Sequence, residues 1–172
     1  GEVMASSGLM NPQIRFGEDV MSRVSYSMMN PGGDAEMTTT VREALNDLAK
    51  ATTEEAGVEV TDILDIALVS NPIMHHLLLG MDPLELGGAP FALATDFGTR
   101  LKARELDLNF HPGALAYVLP CIAGHVGADT AGVARAERPD LTEKLTFIVD
   151  VGTNAEMLLG DKDRVLAASS PT

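Results

Sequence analysis

An α/β layer fold is the architecture this sequence predicts, and three observations carry the expectation. Short apolar runs at residues 66–69 and 114–124 alternate with segments whose apolar residues recur every three or four positions, the pattern of buried strands joined by helices. Near the C-terminus three apolar runs, residues 144–152, 155–160 and 164–170, follow one another almost without interruption. Loops of about two to four residues join only antiparallel neighbours, so these runs form consecutive hairpins. The chain has 172 residues, 45% of them hydrophobic and 22% charged, which suits one ordinary domain with a real core or a large piece of a two-lobed one.

Taken in order, residues 1–10 (GEVMASSGLM) alternate imperfectly between apolar and small polar residues and are expected to form a strand. The period then changes. Val20, Val24 and Met28 recur at helical spacing behind Glu18 and Asp19, which are placed in the first turn, and Asn30-Pro31-Gly32-Gly33 stops the helix. A second helix carries Val41, Leu45, Leu48 and Ala49 as its apolar stripe, with Gly57 as the residue that ends it. The run 66–69 suits a buried parallel strand, and Asn71-Pro72 opens a helix over IMHHLLLG. Residues 81–112, rich in Gly, Pro and Asp, are expected to be an irregular excursion with at most a short strand near 100–106. A buried strand in ALAYVLPCIAG and a helix in HVGADTAGVARAER precede the C-terminal strands.

The net charge is −13, from 25 acidic and 12 basic residues, which argues against non-specific binding to nucleic acid or an anionic membrane, since these require a basic face. Arg100, Lys102 and Arg104 alternate as on a solvated strand edge. No apolar run approaches the ~20 residues that cross a bilayer, and the start has no secretory pattern. The lone cysteine, Cys121, lies in an apolar run as a small buried hydrophobe and fits a reducing cytoplasm. The chain begins without Met and stops just after an apolar run, so both ends are expected to be cuts. The methionines, Met21, Met28 and Met29 among them, are expected to fill the core, the alternative for these three being a mobile or partner-facing helix.

Two stretches could carry chemistry. In IVDVGTNAEMLLG an aspartate, Asp150, ends an apolar strand just before the turn Gly152-Thr153-Asn154. A carboxylate there is costly unless a cation or donor meets it. Glycine at 152 permits a positive φ and close approach of a ligand, the Thr153 and Asn154 groups suit phosphate oxygens, and Asp150 suits Mg²⁺ or its waters. The same tetrad also makes an ordinary polar turn. In AGHVGADTAG, Gly124, Gly127 and Ala128 are expected to build the first turn of a helix whose positive end faces a ligand. Asp129 there either orients a water or metal, or satisfies the dipole. His75 and His76 point about 100° apart on a helix and share no metal; His125 and Asp129 alone do not make a zinc site.

The stretches NPQIRFGEDVMSR, NPIMHHLLLGMDP, GGAPF, LPCIAGHVGADTAG and FIVDVGTNAEMLLG, in that order, resemble the ATPase region of the reductive activators of corrinoid proteins. That family belongs to the acetate and sugar kinase, Hsp70 and actin superfamily. The resemblance covers nearly the whole chain. It implies an actin-like, ribonuclease H-like mixed sheet with flanking helices, incomplete at both ends. Residues 1–143 would be the remainder of the first actin-like half and 144–172 the opening strands of the second. By the same resemblance Asp150, Gly152, Thr153 and Asn154 take the phosphate and Mg²⁺ role, with Asp150 the metal-linked carboxylate and Asp129 the positioner of the attacking water. The family implies ATP as cofactor, a [2Fe-2S] ferredoxin domain in the parent chain with its own electron donor, and a corrinoid protein partner. ATP would drive reduction of Co(II) to Co(I) for methyl transfer.

The family's first phosphate hairpin would precede residue 1 and its adenosine loop would follow Thr172. The resemblance therefore implies an internal fragment that binds ATP weakly or not at all, with open sheet edges that favour a homo-oligomer. Two other functions stand beside the ATPase: a docking module that grips a corrinoid protein without catalysis, and a small-molecule kinase of the same superfamily.

Overall fold

The computed structural model describes residues 1–152 and 154–171 and shows a mixed α/β chain with two small sheets. Helix α1 spans Val20–Met29, α2 Gly33–Ala56, α3 Pro72–Leu79 and α4 Ala128–Glu137. The first sheet has strand order β1-β3-β2, from Asp65–Leu68, Leu115–Val118 and Thr99–Lys102. In it β1 runs parallel to β3, and β2 runs antiparallel to β3. The second sheet is the antiparallel meander β4-β5-β6, from Thr146–Val151, Asn154–Gly160 and Val165–Pro171.

Local chemistry accounts for most boundaries. Asp19 caps α1, its Oδ1 accepting the Ser22 N–H at 2.7 Å, so it stands before the first turn and not within it. Gly57 ends α2 with φ 69°, a left-handed residue that costs glycine nothing. Asn71 caps α3 through the Met74 N–H, with Pro72 at the first helical position. The apolar run expected to form one strand through residue 124 yields only β3, because Pro120 has no N–H to continue a ladder.

Two expectations fail outright. Residues 1–10 form no strand; no strand pairs with them, and Val3, Met4 and Met10 are largely exposed. Met21, Met28 and Met29 are exposed too, at 45%, 69% and 74%, because α1 turns Arg23 and Val24 inward and leaves the methionines on its other faces. Met37 of α2 does fill the core, fully buried, and Met74 of α3, partly buried, packs against the core as well.

The core lies on both sides of α3. Ile73 and Leu77 pack with Phe16, Val24, Met37 and Leu86. On the other side Leu78 joins Val41, Leu106, Phe110, Ala116 and Val118 above the first sheet. This position fixes α3, and hence its N-terminus, relative to α1, α2 and β1. The excursion after α3 is tied back by His76, whose Nε2 accepts the Ala94 N–H at 3.0 Å while Nδ1 lies 2.8 Å from the Pro72 carbonyl oxygen. The two contacts together require the neutral ring with its proton on Nδ1.

Candidate functional site

Three helices begin at one cleft. The start of α1 contributes Glu18, Asp19, Val20 and Arg23, the cap of α3 contributes Asn71, and the first turn of α4 contributes Asp129. The β4–β5 hairpin closes the cleft with Asp150, Gly152, Asn154 and Glu156, leaving a volume of about 210 Å³. Residues far apart in sequence thus meet because α3 is locked between two cores and β1 delivers its end to α4.

The junction of β1, α3 and α4 is tight. The Ser70 carbonyl, at the end of β1, accepts the Ala128 N–H at 2.9 Å and the Asp129 N–H at 3.3 Å. Asp129 Oδ1 accepts the Thr130 N–H at 2.8 Å. A Cβ on Gly127 would sit 2.7 Å from the Ser70 oxygen and 2.8 Å from the Asn71 Cα, and would collide with the Asp129 carboxylate. Gly127 is therefore required by packing, at the N-cap of α4 and behind the cleft. The first-turn amides of α4 at 128–130 are already bonded, so a phosphate arriving here would not find them free.

Gly124 lies elsewhere, contrary to the expectation that it shares the first turn of α4. It stands in the turn closed by the Ala123–Val126 bridge and borders a different hollow with Phe91, Leu93 and Phe97. A Cβ there would strike the Phe91 carbonyl oxygen. His125 packs against Phe91, ring centroids 4.3 Å apart and the rings tilted by 60°, instead of joining Asp129. Gly152 also departs from expectation. Its φ is not positive, a Cβ would meet the Asn154 oxygen at an ordinary 3.7 Å, and its own N–H donates to that oxygen at 2.8 Å. Thr153 lies outside the described residues.

Asp129, Asp150, Gly152 and Asn154 all line the cleft. Sequence reasoning missed Arg23, Asn71 and Glu156. Glu156 pairs directly across from Asp150 in the β4–β5 ladder, and Ser169 Oγ donates to Glu156 Oε1 at 3.1 Å. Opposed carboxylates repel, an arrangement that a cation between them would relieve. Among the described residues no three His, Cys, Asp or Glu side chains are grouped to cage a metal. Two carboxylates at an open cleft match Mg²⁺, which keeps several waters and takes its remaining ligands from phosphate, better than a structural zinc or calcium. Cys121 is buried, and burial pushes its thiol up to about 11, the character of an inert core residue. One cysteine does not hold an iron-sulfur cluster, so these residues do not fit that cofactor. No helix among the described residues is long and apolar enough to cross a membrane.

With this geometry in hand, the similarities to known proteins are specific. The family described as RACo middle region matches residues 1–140. The chain is 30% identical over 170 residues to the corrinoid activation enzyme RamQ of Eubacterium limosum, covering 99% of this chain and 28% of that protein. A solved structure, a reductive activator for corrinoid, iron-sulfur protein, superposes with a TM-score of 0.91 at 31% identity, over 96% of this chain and 27% of that one. The chain therefore spans 28% and 27% of the lengths of these two relatives.

Proposed function

This chain belongs to the RACo middle region family, and from that premise we propose that it serves the reductive activation of a corrinoid protein. The activation is driven by ATP, whose binding and hydrolysis are coupled to reduction of Co(II) to Co(I) for methyl transfer. The observation that carries the proposal is the convergence of Asp129, Asp150, Gly152 and Asn154 on one cleft in a chain similar to two activators of corrinoid proteins.

In this reading Asp150, with Glu156 opposite, would hold Mg²⁺, and Gly152 and Asn154 would lie against the phosphates. Mg²⁺ when bound would offset phosphate charge and polarise the phosphoryl oxygens. Asp129, fixed by the Thr130 N–H and the Ser70 carbonyl behind it, orients a water toward the cleft. Gly127 allows α3 and α4 to begin close enough for this. A volume of about 210 Å³ is small beside the ~300–1,000 Å³ of pockets that enclose whole drug-sized ligands, so the cleft accepts the phosphate end of the nucleotide. The two sheets are then parts of an actin-like, ASKHA-type fold, and the protein is cytoplasmic. The iron-sulfur cluster and the electron donor act from outside these residues.

The decisive experiment is Asp150→Ala in the full-length protein. ATP-dependent activation of the corrinoid protein is expected to disappear while the melting temperature stays near that of the wild type. Undiminished turnover would remove Asp150 from the site. Self-association belongs to the same proposal. Phe147, Val149 and Val151 lie exposed on one face of β4, which among the described residues has a strand partner on one side only. Sedimentation should detect oligomers that Val149→Lys disperses, and a monomer at all concentrations would refute it.

A further inference from the structure

Arg23 is the one cationic side chain among the described residues lining the cleft, and it is only 5% exposed, the most buried of them. The other charged lining residues, Glu18, Asp19, Asp129, Asp150 and Glu156, are exposed or half-buried. Arg23 therefore forms the floor. Its Nε donates to the Gly17 carbonyl at 3.1 Å, which fixes the plane of the guanidinium. Its terminal nitrogens make no hydrogen bond or ion pair among the described residues, although five carboxylates border the same space. Desolvation by burial lowers its pKa, an effect opposed by nearby Asp19, and an arginine stays charged at neutral pH all the same. The terminal nitrogens are not sealed off like the unpartnered His75 ring nitrogens; they face the open cleft, where an anion can reach them.

The remaining donors point the same way. The α4 amides are occupied by Ser70 and Asp129, and the Gly152 N–H by Asn154. The Asn71 Oδ1 is taken up by the Met74 N–H, and Asn71, whose Nδ2 is a donor, lines the same cleft as Arg23. A planar fork of N–H groups backed by a neutral amide matches a tetrahedral oxyanion.

We propose that Arg23 is the specificity residue of the nucleotide site: its terminal nitrogens, assisted by Asn71, bind the terminal phosphate of ATP at the floor of the cleft and so distinguish ATP from ADP. The assignment rests on the reading of the cleft as a nucleotide site. The entering end of a nucleotide reaches the floor, and its nucleoside stays at the mouth, where the space is open. ADP, one phosphate shorter, does not reach Arg23 while the hairpin holds its remaining phosphates.

The test is calorimetric titration of Mg·ATP and Mg·ADP into the full-length protein, as wild type, Arg23→Gln and Arg23→Lys. Arg23→Gln should weaken ATP about 10- to 100-fold, the effect of losing charge-assisted bonds, and ADP less than about 3-fold. Arg23→Lys, which keeps the charge but not the fork, should fall between. Both variants are first checked by thermal melting, because the Nε bond to Gly17 is lost; a structural role alone would weaken both nucleotides alike. Equal loss for ATP and ADP, or no loss for either, overturns the Arg23 assignment and leaves the nucleotide site standing. Failure of the wild type to bind either nucleotide removes the site itself and the assignment with it.

Discussion

Gly127→Ala isolates the packing that assembles the cleft. Gly127 has φ −79° and ψ −177°, values any residue adopts, so the substitution carries no backbone strain. Its cost is steric. The new methyl would lie 2.7 Å from the Ser70 oxygen and 2.8 Å from the Asn71 Cα, both backbone atoms, and would collide with the Asp129 carboxylate. Relief requires α3 and α4 to part, which stretches the Ser70 bonds to Ala128 and Asp129. Overpacking of this kind costs about 1–3 kcal/mol. Alanine is also a poorer N-cap than glycine. A loss of about 2 kcal/mol should lower the melting temperature by about 4–8 °C at this chain length. The control is Gly132→Ala within α4, where the methyl would meet only the Val69 side chain, its Cγ1 at 3.3 Å and its Cβ at 4.0 Å. There the helix gains up to about 1 kcal/mol from alanine, so the control should melt at or above the wild type. Thermal and urea unfolding of the three proteins decide the matter. Gly127→Ala within about 0.5 kcal/mol of the wild type would refute the argument that this glycine lets the helices converge.

Three further outcomes are expected. Desolvation lowers the pKa of His75, with His76 adding to it, and desolvation likewise lowers that of His76. The unfolded chain then binds protons that the folded one refuses, so stability is complete above pH ~6.5 and falls as the pH drops below it, by at most about 1.4 kcal/mol per pH unit for each histidine. Urea titrations from pH 7.5 to 5 should show this slope in the wild type and a shallower one in His76→Gln; equal slopes would count against it. Arg42 donates from Nε and Nη2 to the Leu78 carbonyl at 3.1 and 2.8 Å and pairs with Asp107, whose side chain is 75% exposed. Asp107→Asn should change stability by less than about 0.5 kcal/mol and Arg42→Ala by about 1–2 kcal/mol, measured by urea unfolding, because the exposed pair is screened and the helix-end carbonyl is not. Finally, removing Mg²⁺ with a chelator should abolish ATP binding by the full-length protein in calorimetry; undiminished binding would show that the carboxylates need no metal.

The elements were legible where one residue decides a boundary. Asn71-Pro72 announces α3, Gly57 ends α2, and the C-terminal meander follows from three apolar runs with loops too short for anything but hairpins. Where the partner decides, the sequence was silent. Residues 1–10 have the composition of a weak strand, yet strand character is realised only beside a neighbour. Gly124 and Gly127 look alike in AGHVGAD. What separates them is what each meets, Phe91 in one case and Ser70 with Asn71 in the other, both brought by tertiary packing. The candidate site divides in the same way. Asp129 and Asp150 stand out because a carboxylate at an element end asks for a partner, whereas Arg23 is one arginine in an amphipathic helix and nothing local marks it as buried.

The electrostatics of the cleft explain why such a residue matters. Two of the five carboxylates are matched to helix starts: Asp19 caps α1, and Asp129 sits in the first turn of α4. The positive ends of these helices are thereby largely neutralised by the chain itself, and they offer a polyphosphate little attraction. Asp150 and Glu156, facing one another across the ladder, repel an anion unless a metal stands between them. The cleft is thus built to reject free phosphate from its walls while keeping one fixed cation at its floor. On the proposed reading, a ligand that brings its own divalent ion would satisfy both conditions at once, with Arg23 as the discriminator and the acidic wall admitting the metal-bound form.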